Sequence, residues 1–85
     1  TLSLASSEDR PETVVEREEQ AEQVRWAVLA LPPASRAVLV LREYEGLSYQ
    51  EIADALDIPI GTVMSRLNYA RGRLRELLAA WLEGL

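Results

Sequence analysis

Residues 46–67, GLSYQEIADALDIPIGTVMSRL, restrict the fold of this chain more than any other stretch. Ser48 followed three residues later by Glu51 forms a capping box, in which each side chain satisfies a backbone N–H of the other's turn. Ile52, Ala53 and Leu56 then fall on one side of the helix that this cap starts. At Asp57 the helix must end in a left-handed residue, a conformation that glycine adopts most easily and aspartate tolerates. Pro59 and Gly61 stand at the start of a further helix. Two helices joined by so tight a turn make a helix-turn-helix.

The rest of the chain is punctuated for helices. TLSLASSEDR is short, polar and mixed in charge, and residues 1–11 are expected to be the end of a linker, leaving 12–85 as the domain. Pro11 can open a first helix, and Glu12, Glu16, Glu18 and Glu19 suit the positive end of its dipole. Its apolar stripe runs Ala21, Val24, Ala27, Val28, Leu31 before Pro32 and Pro33 stop it. A second helix starts at Pro33 or Ala34 and runs to Gly46. Its centre, Ala37 to Leu41, is apolar on every side, so it must be covered on more than one face, by its own bundle and also, on the functional reading, by a partner on the outer side. The last helix runs from the turn to about Leu82, with the stripe Val63, Leu67, Ala70, Leu74, Leu77, Leu78, Trp81 at steps of three and four. The expectation is an all-α, small four-helix domain ending in a helix-turn-helix with a long recognition helix.

Composition narrows the chemistry. The chain has 85 residues, near the size at which one core only just suffices to fold alone, and 48% of them are hydrophobic. It lacks Cys and His, which removes disulfides, thiolate nucleophiles and a zinc site and leaves no catalytic constellation. No cofactor, metal or catalytic residue is expected. No stretch approaches the roughly 18 apolar residues of a membrane span, so membrane insertion is not expected either. Thr1 and the segment after it lack the build of a signal peptide, and the chain reads as a piece of a longer cytoplasmic protein.

The formal net charge of −5 hides an asymmetry. Residues 60–85 hold four arginines, Arg66, Arg71, Arg73 and Arg75, against two acids, Glu76 and Glu83, whereas acids outnumber arginines in residues 1–31 and again in residues 32–59. The positive field therefore belongs to the helix after the turn. An acidic total opposes tight free-standing binding to DNA, since phosphate contacts supply most of such affinity, but it permits a module tethered to a larger machine.

With Val63 set toward the core, the opposite face of the last helix holds Gly61, Ser65, Asn68, Tyr69 and Gly72. Thr62 and Arg73 flank it on one side, Met64 and Arg71 on the other. The second helix of a helix-turn-helix puts its N-terminal turns into the major groove, so Ser65, Asn68 and Tyr69 would face base edges with Arg71 and Arg73 near phosphates. Gly72 costs a helix about 1 kcal/mol relative to Ala, which close approach of a phosphate or partner would justify. Arg66, at the edge of the core stripe, is expected to pair with Glu51. Arg75 and Glu76 read as solvated surface, Trp81, Leu77 and Leu78 as core. Trp26 lies off its helix's stripe, as a partner contact or a partly exposed residue.

The string from Leu31 to Leu74, LPPASRAVLVLREYEGLSYQEIADALDIPIGTVMSRLNYARGRL, resembles region four of bacterial sigma factors in the extracytoplasmic-function branch. LP…R before an apolar helix, LREYEGLSYQEIA and GTVMSRL…AR fall in order and at the family's spacing, and the likeness covers roughly residues 12–85. It implies a four-helix domain that reads the minus-35 element of promoter DNA in transcription initiation. It also implies docking on the β-subunit flap of core RNA polymerase and capture by an anti-sigma factor. Arg42, Tyr49, Pro59, Gly61, Thr62, Ser65, Asn68 and Arg71 match positions where the family approaches DNA. Met64 stands where many members have Lys or Arg, and Tyr69 where many have Arg. A bidentate Arg–guanine contact is worth about 1–3 kcal/mol of discrimination. Without it, either the element differs and is read partly by shape, or binding leans more on the polymerase, or this copy no longer reads DNA.

The last alternative is a sigma-mimic interaction module that binds an anti-sigma factor without reading DNA. The acidic balance, Met64 and Tyr69 favour it; Thr62, Ser65, Arg71 and Arg73 count against it. The effector domain of a two-component regulator shares text like GLSYQEIA, but a His or basic residues are then expected after Thr62-Val63, not MSRLNYAR.

Overall fold

A computed structural model of the chain describes residues 11–84. The expected linker, residues 1–11, lies outside the described residues except for Pro11. Four helices follow in order: α1 (Glu12–Leu29), α2 (Pro33–Glu43), α3 (Tyr49–Leu56) and α4 (Ile60–Glu83). The described residues contain no strand. At 24 residues, α4 is about 36 Å long, and it packs against each of the other three helices.

The connections follow from local chemistry. Pro32 is the N-cap of α2 and Pro33 its first residue, so the helix begins where a missing N–H costs nothing. Arg36, in the first turns of α2, donates from Nη1 to the Leu29 carbonyl oxygen at 2.9 Å and so satisfies an orphan acceptor at the end of α1. The α2 helix ends at Glu43, three residues before the expected Gly46. The Tyr44 and Glu45 N–H groups both turn back to the Val40 carbonyl, and Gly46 takes φ +71° in the loop beyond.

The capping box forms as expected. The Ser48 hydroxyl accepts from the Glu51 N–H at 3.0 Å, and Glu51 Oε1 accepts from the Ser48 N–H at 2.7 Å. The Ser48 bonds hold the Glu51 carboxyl below its ordinary pKa. At the other end of α3, Asp57 lies at φ 56°, ψ 51°, the one left-handed residue other than glycine among the described residues. The Ile58 N–H then closes the end by donating to the Ala53 carbonyl at 3.0 Å.

The core is assembled from all four helices and the α1–α2 turn: Val28, Leu31, Val38, Leu39, Ile52, Ala53, Val63, Leu67 and Ala70. Ile52, Leu67, Val38 and Val63 are the largest fully enclosed side chains, each contributing about 1.5–3 kcal/mol by burial. Two expectations about core extent need correction. Within α1 only Ala27 and Val28 are buried, while Ala21 and Val24 are exposed, because only the last turns of this helix reach the core. Leu77, Leu78 and Trp81 are half-buried rather than core: they line an open groove between α4 and α1 with Trp26, Ala27 and Ala30. Trp26 itself stays 61% exposed.

Candidate nucleic-acid interface

The buried stripe Val63, Leu67, Ala70 fixes how α4 is rotated against α2 and α3, and that rotation decides which side chains reach solvent. Pro59 is the N-cap of α4 and exposed; its carbonyl accepts from the Thr62 and Val63 N–H groups at 3.0 and 3.2 Å. Gly61 is exposed, with nothing within 4 Å of where a Cβ would stand, and Thr62 is half-buried. Ser65, Asn68 and Tyr69 are exposed together on the outer face, as expected, with Met64 beside them. The Ser65 hydroxyl donates back to the Gly61 carbonyl at 2.9 Å, so it faces outward as an acceptor.

The basic residues are less free than their spacing suggested. Arg71 is half-buried and donates from Nη2 to Glu43 Oε2 at 3.0 Å, a tie between α4 and the end of α2. The Glu43 bond, with a smaller push from the Tyr49 side chain, raises the Arg71 pKa above its ordinary value. Arg73 pairs with Glu76, three residues on, at 3.2 Å. Glu76 is therefore partnered, while Arg75 is exposed as expected. Gly72 is half-buried, and a Cβ there would meet only the flexible tip of Arg75, at 3.8 Å.

Arg42 is built into the scaffold. Its Nη1 donates to the Leu47 carbonyl at 2.9 Å, and the guanidinium lies 4.9 Å from the centre of the Tyr49 ring. The pair therefore clamps the α2–α3 loop and holds it against the start of α3. Tyr49 is half-buried beneath it. The expected Arg66–Glu51 pair does not form: Glu51 Oε1 accepts from the Ser48 N–H, and the ion pairs of α4 are made by Arg71 and Arg73. Of the expected site residues, α4 gathers Pro59, Gly61, Ser65, Asn68, Tyr69 and Arg73 on one exposed surface. Arg42 and Tyr49 sit at the α2–α3 junction, reached from that surface through Arg71 and Glu43.

Sequence reading missed the Glu43–Arg71 tie, which joins residues 28 positions apart and leaves no local signal. The apolar centre of α2, expected to be covered on its outer side by a partner, contributes to a second surface. Val28, Leu29, Val40 and Tyr44 form an apolar hollow between α1 and α2, rimmed by Arg25 and Arg36, with Leu29 and Tyr44 exposed. Among the described residues no group of Asp and Glu could hold a metal ion, and no helix is long and apolar enough to cross a membrane.

Comparison with known proteins agrees with this geometry. Residues 21–74 match the family described as Sigma-70, region 4. The chain is 38% identical over 76 residues to the ECF RNA polymerase sigma factor SigE of Mycolicibacterium smegmatis, a match covering 89% of this chain and 30% of that protein. It is 40% identical over 70 residues to the RNA polymerase sigma-H factor of Pseudomonas aeruginosa, covering 82% and 36%. It is 44% identical over 61 residues to the ECF RNA polymerase sigma-E factor of Escherichia coli strain K12, covering 72% and 32%. The chain thus spans about a third of the length of these relatives. A four-helix domain, the helix-turn-helix at its end and the family match over most of the helical body agree: the chain belongs to the sigma-70 region 4 family, in its extracytoplasmic-function branch.

Proposed function

We propose that this chain reads the minus-35 element of promoter DNA for an alternative sigma factor of the extracytoplasmic-function type, acting by binding and not by catalysis. The observation that carries the reading is the exposed row Ser65, Asn68 and Tyr69, opposite the buried Val63, Leu67 and Ala70 on the second helix of a helix-turn-helix. In the major groove this row faces base edges. Arg71 and Arg73 lie one turn further on, where they reach phosphates by exchanging their carboxylate partners. Arg42 and Tyr49 support that surface from below. The domain is taken as residues 12–85, with 1–11 as the end of the linker. The apolar hollow of Val28, Leu29, Val40 and Tyr44 suits a protein partner, for which the β-subunit flap of core RNA polymerase is the proposed occupant and an anti-sigma factor a competitor. Tethering through polymerase raises the effective concentration of a surface that binds weakly alone.

A second reading, the sigma-mimic that binds an anti-sigma factor without reading DNA, is favoured by the engagement of both Arg71 and Arg73 with the chain's own carboxylates. Selection from a randomised duplex library by the 85-residue chain at low ionic strength separates the two. A recovered motif that disappears in a triple variant, Ser65→Ala, Asn68→Ala and Tyr69→Ala, supports base reading. Absence of any enriched motif from a folded chain overturns it in favour of the mimic.

A further inference from the structure

The exposed side chains in the first turns of α4 carry no charge at all: they are Ile60, Met64, Ser65, Asn68 and Tyr69. Arg66 is half-buried on the core side of the helix, and Arg71 and Arg73 lie a turn further along, held by Glu43 and Glu76. The guanine edge presents two acceptors, N7 and O6, and is read by a side chain that brings two donors, most often from Arg or Lys. No exposed cation in these turns meets that requirement. The Ser65 hydroxyl proton is already given to the Gly61 carbonyl.

What the row does offer is complementary to an A·T pair. The Asn68 carboxamide holds one acceptor and one amino group side by side, the match for adenine N6 and N7. One turn earlier on the same face stands Met64, 48% exposed with an apolar, flexible side chain that can cover the thymine methyl group. Residues four apart on a helix have Cβ atoms about 5–6 Å from each other, and stacked base pairs rise about 3.4 Å, so two such side chains reach the same or neighbouring base pairs. Resting on the promoter reading above, we propose that α4 specifies an adenine through Asn68 and a thymine within two base pairs of it through Met64, in place of a guanine.

The test uses the 85-residue chain and a duplex enriched by it from a randomised library, with affinity followed by fluorescence anisotropy at low ionic strength. Deoxyuridine replaces each thymine in turn, removing only the methyl group, and 7-deazaadenine replaces each adenine, removing only N7. One deoxyuridine position is expected to weaken binding about fourfold, the effect of one buried methyl group, and Met64→Ala is expected to abolish that difference. One 7-deazaadenine position is expected to weaken it about fivefold or more, a difference that Asn68→Ala removes. Both side chains are exposed, so circular dichroism of the variants is expected to match the parent. Met64→Arg is expected to move the selected base toward guanine. Unchanged affinity at every deoxyuridine and every 7-deazaadenine, in a duplex the chain still binds, overturns this assignment and leaves the promoter reading standing. A chain that enriches no duplex overturns both.

Discussion

Gly72 shows how a single residue sets stability against function on this helix. It sits within α4, where glycine costs up to about 1 kcal/mol relative to alanine, and a Cβ at that position meets only the mobile end of Arg75. Gly72→Ala is therefore expected to stabilise the domain by about 0.5–1 kcal/mol in urea unfolding. A simultaneous fall in duplex affinity would show that a phosphate or partner passes close to this backbone. Glu43 plays the opposite part, since its carboxylate occupies the Arg71 guanidinium at 3.0 Å. Glu43→Gln removes that charge and is expected to raise duplex affinity about two- to fivefold in anisotropy titrations. Its effect on stability should stay within about 1 kcal/mol, as for other exposed ion pairs.

Among the elements, α3 depends on its cap and α4 on its buried stripe. The Glu51 carboxyl has a lower pKa in the folded chain than in the unfolded one, because the Ser48 N–H and hydroxyl bond its charged form. The unfolded state therefore binds the proton first as pH falls. The cap's contribution is present above the ordinary glutamate value of about 4.3 and is lost as pH drops through the lower folded value. Glu51→Gln is expected to flatten that part of the stability profile, from the ordinary glutamate range downward, as read by urea midpoints at each pH. Leu67, 1% exposed at the centre of the α4 stripe, tests the packing. Leu67→Ala is expected to cost about 2–5 kcal/mol, enough to unfold much of so small a domain, with the loss visible in helical circular dichroism.

At the scale of the whole molecule, the net charge of −5 is distributed so that residues 60–85 are net positive while residues 1–31 and 32–59 are each net negative. Four arginines lie on or beside the proposed surface, Arg42, Arg71, Arg73 and Arg75, and of these Arg42 is engaged by the loop and Arg71 and Arg73 by acids. Few phosphates can then be neutralised at once. A plot of log affinity against log salt is expected to have a slope of about −2 to −4, shallower than that of a free-standing repressor. A steeper slope would mean that further arginines turn toward the duplex when it binds. The apolar hollow between α1 and α2 lies apart from the α4 row, so one domain can hold DNA and a protein partner together.

Much of this was legible in the sequence because it is set within a few residues. The Ser48–Glu51 cap, the left-handed Asp57, the Pro33 start and the exposed Ser65, Asn68 and Tyr69 each follow from capping chemistry, a φ preference or helical periodicity, all local. The reach of the core was not, because periodicity tells which face of a helix is apolar but not whether another helix arrives to cover it. Ala21, Val24 and Trp81 continue apolar stripes that run past their neighbours. Charge pairing was decided at longer range still. Arg66 and Glu51 do not pair, while Arg71 found Glu43 across 28 residues, since an ion pair forms between groups that the folded backbone brings within about 4 Å, wherever they stand in the chain.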